Sequence, residues 1–380
     1  MPLSGVLTCR YDYDRLRPDY SRESARQTIL FPALATETTE KLLLAGNTPV
    51  YRAPRLARAA GVRAVWLKDE TVEPTGSLKD RASWLVTAIA LQQGKTVITC
   101  ASTGNAASSL AGMCAAAGVR CVLFVPAAAP RAKLIQPAAY GACVLPIDSG
   151  YDDCFELSLL ATERFGWYNR NTAYNPWTIE GKKSCAWELA CQLDFNLPDQ
   201  VFVPTGDGVI LSGMYKGFYD LQQLGLIDRI PMLVAVQPSG ADALAAALAR
   251  NSDGHDARCA AAASIADSLV VQAPRNAVMA LHALRATGGY GITVSEEEIL
   301  EAVRDVSSQT GIFVEPAAAA AWAGLKKARE EGRISAKETA ALLLTGSGLK
   351  DIAAAERAVN IPKALPANLD AIEERLENGY

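Results

Sequence analysis

The sequence predicts an α/β protein with a mostly parallel sheet and two domains, on three observations. Short β-branched runs alternate with longer apolar-periodic ones, as strands and crossover helices do. Residues 96–148 fit three strand-like runs and two helix-like runs into a compact βαβαβ unit. The 380 residues exceed the length of one ordinary domain.

The first strand is Thr96–Ala101, which breaks at Ser102–Asn105 and continues as an Ala-rich helix to Gly118. Arg120–Pro126 is the second strand, and the pattern repeats through Gly141 into Ala142–Asp148. A second set follows with Val201–Pro204, a Gly-containing turn, a helix to about Leu224, Met232–Pro238 and, much later, Ala341–Gly348. These strands are assigned to a larger, discontinuous domain of residues 1–90 and 176–360, with 91–175 as a smaller Rossmann-like domain. Residues 250–275 are the least regular stretch, and 361–380 read as a polar helical tail. The run Pro316–Ala321 is made of good helix formers.

Composition excludes several classes of function. With 37 Lys and Arg against 41 Asp and Glu, the net charge of −4 and the lack of a basic tail leave no nucleic-acid footprint. No apolar run approaches the roughly 18 residues of a membrane span, and the charged, Pro-containing start lacks a signal peptide's apolar stretch. A cytoplasmic protein without membrane or nucleic-acid partners is expected. Nine cysteines form no CxxC pair and read as reduced thiols. His255 and His282 are the only histidines and give no metal spacing, so no metal is expected and protons must be moved by something other than a His triad.

Trp66–Gly94, WLKDETVEPTGSLKDRASWLVTAIALQQG, is the most informative stretch. Ser77 is the expected N-cap of a helix carrying Leu78, Ala82, Leu85 and Ile89 on one face, with Gly94 as its stop. Lys79 then lies in the first helical turn, where the helix dipole and burial lower its affinity for a proton and favour a nucleophilic amine. Spacing alone also allows a solvated surface lysine beside Asp80 and Arg81. The two-glycine spacing of a phosphate-binding GxxxxGK[ST] loop is missing.

Three further turns follow strands. Ala101–Gly112, ASTGNAASSLAG, places Ser102, Thr103, Gly104 and Asn105 at the carboxyl end of a strand, where ligands bind in open α/β sheets, or where they merely cap a helix. Gly206 and Gly208 in VPTGDGVILSG let the backbone approach an anion at a helix N-terminus. Thr345 and Ser347 in LLLTGSGLKD follow another buried strand, and a hydroxyl there either faces a ring nitrogen or closes a turn.

Together these segments resemble the threonine synthase branch of the fold type II pyridoxal-phosphate enzymes, the tryptophan synthase β-subunit superfamily. The likeness runs from about Asn47 to about Asp351 and includes NPWTIEGKKS (Asn175–Ser184) and SIADSLVVQAPRN (Ser264–Asn276). The resemblance implies two open, mostly parallel twisted sheets flanked by helices and pyridoxal 5′-phosphate as cofactor. It also implies a homodimer acting on a small amino acid by elimination or replacement. It further implies that Lys79 forms the Schiff base and shuttles protons, that Asn105 contacts the cofactor's 3′-oxygen, and that Gly206, Asp207, Gly208, Val209 and Ile210 hold its phosphate. Thr345 would face the pyridine nitrogen, a neutral partner suited to a ring left unprotonated. Ser102, Thr103, Gly104, Asn105 and Thr178 would meet the substrate.

The sequence departs from the family pattern at the substrate-phosphate grip. Thr178 stands where a threonine synthase carries an arginine, and Thr172 and Ala173 stand where it has an Asn-Ser pair. A hydroxyl does not replace a bidentate guanidinium. Either another cation substitutes, with Lys68, Lys182, Lys183 and Arg81 as candidates, or the substrate is not O-phosphohomoserine. Asp207 beside a phosphate is tolerable only if its side chain turns away. Threonine synthase chemistry leads, with a serine/threonine ammonia-lyase or β-replacement enzyme as the alternative. A nicotinamide dehydrogenase would need a GxGxxG that the chain lacks, and a ligand-binding scaffold would lack a covalently held chromophore at Lys79.

Overall fold

The computed structural model describes residues 7–31, 34–260 and 263–377. The chain is α/β, with two mostly parallel sheets flanked by helices. The larger sheet contains β1 (Val50–Arg52), β2 (Ala64–Asp69), β7 (Gln200–Pro204), β8 (Met232–Pro238), β9 (Tyr290–Val294) and β10 (Thr339–Leu344) in the order β1-β2-β10-β7-β8-β9. Only the β1–β2 pair is antiparallel. The smaller sheet orders β3 (Val97–Ala101), β4 (Arg120–Pro126), β5 (Cys143–Ile147) and β6 (Tyr168–Asn169) as β5-β4-β3-β6, all parallel. Helices cover both faces of central strands, so β3 and β7 are buried at all five positions and are mostly apolar, with Thr99 and Gln200 as their buried polar members.

Each sheet reverses its direction of growth once, and that reversal opens a crevice at the strands' carboxyl ends. In the smaller sheet β4 and β5 extend to one side of β3 while β6 lies on the other. In the larger sheet β8 and β9 extend beyond β7 while β10 and β2 lie on its opposite side. The segments that leave β3, β6, β7 and β10 at these switch points are those beginning at Ser102, Arg170, Thr205 and Thr345.

Three helices stack beneath the crevice with backbones almost touching. The Trp177–Gln192 helix lies between the Lys79–Gln92 helix and the Val209–Gln223 helix. A Cβ on Gly181 would come within 2.3 Å of the Arg81 carbonyl oxygen, and one on Gly217 within 2.3 Å of the Lys183 carbonyl oxygen. Two buried ion networks cross these seams. Arg81 meets Glu70 at 2.6 and 2.8 Å and Glu188 at 2.7 and 2.7 Å, and also donates to Ser184 and Thr48, while Lys68 joins Glu188 at 2.9 Å. Burial alone would raise both carboxyls, but the guanidinium outweighs it, lowering Glu70 and holding Glu188 at about 2. On the other seam Lys183 bridges Glu180 at 2.6 Å and Asp220 at 2.8 Å, and Tyr11 and Tyr13 of the N-terminal arm each donate to one of those carboxylates at 2.7 Å.

Some local expectations change. The helix that carries Lys79 begins one residue later than expected, with Leu78 rather than Ser77 at the cap and no side-chain capping bond. Ser77 is instead drawn into an antiparallel bridge with Gly346, which points its hydroxyl into protein, where it has no hydrogen-bond partner. In the tail only Leu369–Glu377 is helical among the described residues, and 378–380 lie outside them. The nine cysteines are free.

Replacing Arg81 by Met leaves the buried carboxylates of Glu70 and Glu188 without their principal counter-ion. The expected loss of stability is about 3–5 kcal/mol, the range for breaking one side of a buried pair. Denaturant unfolding of cofactor-free wild-type and variant protein measures it.

Candidate active site

Lys79 is the first residue of its helix and is partly open to the crevice. The turn before it is fixed from several sides. Asp80 accepts from both the backbone N–H and the hydroxyl of Thr75 at 2.6 Å, the Leu78 N–H donates to the Thr345 carbonyl at 3.0 Å, and the Ser347 N–H donates to the Gly76 carbonyl at 3.0 Å. The lysine turn and the Thr345 turn are thereby stitched edge to edge. Among the described residues the Lys79 amine has no hydrogen-bond partner. Desolvation lowers its pKa to about 8, with Arg170 adding to the effect and Glu315 and Asp207 opposing it. A lysine near 8 exchanges a proton readily at neutral pH and supplies a free amine without a separate base.

Ser102, Thr103, Gly104 and Asn105 are all partly exposed at the mouth of the crevice, and the helix Asn105–Ala117 starts there with no side-chain cap. Its first N–H groups are therefore available to an anion. Thr103, Gly104 and Asn105 line a cavity of about 200 Å³ together with Glu315 and Lys350. Sequence reading missed Glu315. Its carboxylate accepts from Asn105 Nδ2 at 3.1 and 3.0 Å, is 6% exposed, and occupies the space that a side chain at Gly346 would need, 2.6 Å from an ideal Cβ. Burial raises its pKa, while the Asn105 bond and Lys79 oppose the rise. The signal was available, since an acid directly before Pro316 stands at the mouth of a helix that the sequence already predicted. Its long-range partner was not.

After β7 the chain turns through Gly206, Asp207 and Gly208 into the Val209 helix. Gly208 has φ of +87°, which favours glycine, and a Cβ on Gly206 would press on the backbone of Ser268 and Leu269 at 3.1 Å. The cradle is bare backbone, and the N–H groups of Val209 and Ile210 open an uncapped helix. Asp207 does turn away, accepting from the Arg275 N–H at 2.6 Å, and burial raises its pKa to about 6. Thr345 is 5% exposed and its hydroxyl makes no hydrogen bond to a described residue. An uncommitted amine, an uncommitted hydroxyl, an uncapped glycine cradle and the Asn105 amide suit a planar, phosphate-bearing aldehyde. Among the described residues no group of three or more His, Cys, Asp or Glu side chains is placed to hold a metal.

Thr178 does not join this group. It is fully buried, and its hydroxyl donates to the Asn175 carbonyl at 2.8 Å within the first turn of its own helix. Of the four cations considered as substitutes for an arginine there, Lys68, Arg81 and Lys183 are held by carboxylates in the helix seams. Lys182 alone has a free amine, which is fully buried without a partner, and burial followed by Arg170 and Lys79 lowers its pKa strongly. Arg170, overlooked in the sequence, is also fully buried with one unpaired nitrogen, Nη2.

Comparison with known proteins fits this geometry. The family model described as "Pyridoxal-phosphate dependent enzyme" matches residues 41–346. A threonine synthase of Methanocaldococcus jannaschii is 34% identical over 98% of this chain and 94% of its own length. One of Methanosarcina acetivorans is 33% identical over 98% and 92%. The solved threonine deaminase isoform 2 of Solanum lycopersicum superposes with a TM-score of 0.69 at 19% identity, covering 91% of this chain and 89% of its own, which shows a shared fold.

Labelling of ligand-free protein with an amine-selective reagent reads the Lys79 pKa directly. Because the pKa is lowered, the amine is protonated below about 8 and free above it. Modification of the Lys79 peptide, followed by mass spectrometry, is expected to rise with a midpoint near pH 8. A midpoint near the ordinary 10.5 contradicts the desolvated environment.

Proposed function

Because the chain belongs to the pyridoxal-phosphate dependent enzyme family and is a third identical to curated threonine synthases along nearly its whole length, we propose that it catalyses elimination and replacement on a small amino acid in the manner of threonine synthase. It is an enzyme of the carbon–oxygen lyase type and its cofactor is pyridoxal 5′-phosphate. When bound, that cofactor supplies an electron sink for negative charge at the substrate's Cα. The protein's task is to bind, orient and move protons. The convergence of an unbonded Lys79 amine with the Asn105, Gly206 and Thr345 turns carries this reading.

In the proposed site Lys79 is the covalent anchor, and its Nζ takes and returns protons at the substrate carbons. Gly206, Asp207, Gly208, Val209 and Ile210 hold the cofactor phosphate through main-chain N–H groups at a helix N-terminus, where the dipole adds to the hydrogen bonds. One N–H of Asn105 is engaged by Glu315, and its other polar valences are left for the cofactor's 3′-oxygen. The Thr345 hydroxyl is the neutral partner of the ring nitrogen; the nearby Glu315 carboxylate is committed to Asn105. The substrate carboxylate fits Ser102, Thr103, Gly104 and Asn105 at the crevice mouth, where the Gly104 N–H donates to Ser102 Oγ at 3.3 Å and the helix that follows is uncapped. Residues 1–90 and 176–360 would act as the larger domain and 91–175 as the smaller, with the active site between them. The family resemblance supports a cytoplasmic homodimer, which sedimentation tests.

The reaction proposed converts O-phosphohomoserine and water to threonine and phosphate, breaking the Cγ–O bond and adding water across Cα and Cβ. The competing elimination releases ammonia and a 2-oxo acid from serine or threonine, and is favoured by Thr178 replacing the family's arginine. Assay of the purified holoenzyme against both substrates decides between them. Threonine and phosphate in equal amounts from O-phosphohomoserine support the first. Turnover confined to unphosphorylated amino acids contradicts it. Lys79→Ala is expected to lower kcat by roughly 10²–10⁴-fold or more through loss of the proton-transfer group.

A further inference from the structure

Two exposed apolar surfaces lie outside the crevice, and the active site uses neither. The first is a groove of about 690 Å³ beside the edge strand β1, walled by Tyr51, Val72, Phe313 and Leu349 and flanked by Arg52 and Arg55. Those four apolar side chains are 39–74% exposed. Among the described residues neither arginine meets a carboxylate, and Arg55 donates to the Ser308 carbonyl at 3.3 Å. The acid that lines the groove, Asp69, is buried and turned to the Thr71 hydroxyl and N–H at 2.6 and 3.0 Å. This groove is the outer wall of the Thr345 turn. The Gly348 N–H donates to the Phe313 carbonyl at 2.9 Å, and Leu349 lines both the groove and the cavity that holds Asn105 and Glu315.

The second surface is the C-terminal segment. The chain last packs into the core at Ala358, whose carbonyl accepts from Arg304 at 3.0 Å. Beyond it no described residue is buried: positions 359–370 are exposed throughout, and the Leu369–Glu377 helix buries none of its side chains. Leu369, Ile372 and Leu376 stand at i, i+3 and i+7, the anchor spacing of a helix that lies in a groove. Each is followed by an acid, Asp370, Glu373 and Glu377, so an acidic stripe runs beside the apolar one. Ile361 and Leu365 add two more exposed apolar side chains on the linker.

An isolated helix this short is marginal in water and is stabilised by burying its apolar face. Contiguous apolar surface rimmed by charge marks an interaction site. The groove offers the helix an apolar floor and sets two unpaired guanidiniums against its acidic stripe, so the charges are complementary. Within the single chain both surfaces are left exposed. Exchange between two copies about a two-fold axis covers both at once, with two tails in two grooves, and doubles the buried area toward what a stable dimer needs.

We propose that the Leu369–Glu377 helix of one copy docks in the groove between Tyr51, Val72, Phe313 and Leu349 of a second copy, its acidic stripe against Arg52 and Arg55. This inference goes beyond the active-site reading and gives the homodimer that the family resemblance supports a specific contact.

Sedimentation of the full-length, cofactor-saturated holoenzyme over a dilution series reads the dimer dissociation constant. Leu369→Ser with Ile372→Ser is expected to raise it by at least ~100-fold, since each dimer loses four buried aliphatic anchors. Arg52→Glu with Arg55→Glu is expected to raise it roughly 10-fold, and Glu373→Arg with Glu377→Arg to do the same, as exposed ion pairs do. Combining the two charge reversals in one chain restores the dimer toward wild type, a rescue that a merely damaged fold does not show. A dimer equally tight in wild type and in Leu369→Ser with Ile372→Ser overturns the docking while leaving the homodimer standing. A wild type that stays monomeric overturns both. A second arm places the photoreactive amino acid p-benzoylphenylalanine at position 372 in a mixture of ¹⁴N- and ¹⁵N-labelled protein. Crosslinks from the tail to groove peptides of the other isotope are expected. Crosslinks confined to one isotope show the tail folding onto its own chain and overturn the proposal.

Discussion

The Arg81 guanidinium, gripped by Glu70 and Glu188, sets the position of everything in the crevice. It lies two residues along the helix from Lys79 and ties that helix to the Trp177 helix across a seam where Gly181 lets the backbones meet. All five of its donor N–H directions are engaged, and Glu70, Thr48 and Ser184 are buried while Glu188 is only partly exposed. A cation so held fixes both the height and the rotation of the helix, so the Lys79 amine is placed by buried geometry and not by its own contacts. The amine can remain unbonded because its backbone has no freedom to wander.

A second constraint is the imbalance of charge around that amine. Glu70, Glu188, Glu180 and Asp220 neutralise the cations of the seams. Closer to the crevice the balance differs: Arg170 is buried without a carboxylate partner among the described residues, burial lowers the pKa of Lys79 and Lys182, and the carboxylates are turned to other tasks, Asp207 to backbone and Glu315 to Asn105. Two uncapped helix N-termini add partial positive charge. A surplus of this kind suits ligands that bring negative charge with them, which both the cofactor's phosphate and an amino acid's carboxylate do.

Much of this was legible in the sequence because it is local. Strand, turn and helix follow one another within a dozen residues at Ser102, Gly206 and Thr345, and β-branched runs buried on both faces announce a parallel sheet. The position of Lys79 in a first helical turn was also readable, though Ser77 was mistaken for the cap because its bridge to Gly346 depends on a strand some 270 residues away in sequence. What sequence could not show is pairing at a distance. Glu315 meets Asn105 across 210 positions, and nothing local to Arg170 shows that it lacks the carboxylates that grip Arg81. Thr178 shows a local limit: a threonine in a helix's first turn bonds nearby backbone, and its hydroxyl donates to the Asn175 carbonyl.

The central claim is that the Lys79 amine carries the cofactor covalently in the resting enzyme. Borohydride reduction of the holoenzyme, followed by proteolysis and mass spectrometry, tests it most directly. A single stable pyridoxyl-phosphate adduct is expected on the peptide containing Lys79, absent from Lys79→Ala. An adduct on another lysine, such as Lys182, or an unmodified Lys79 under cofactor-saturating conditions, would contradict it.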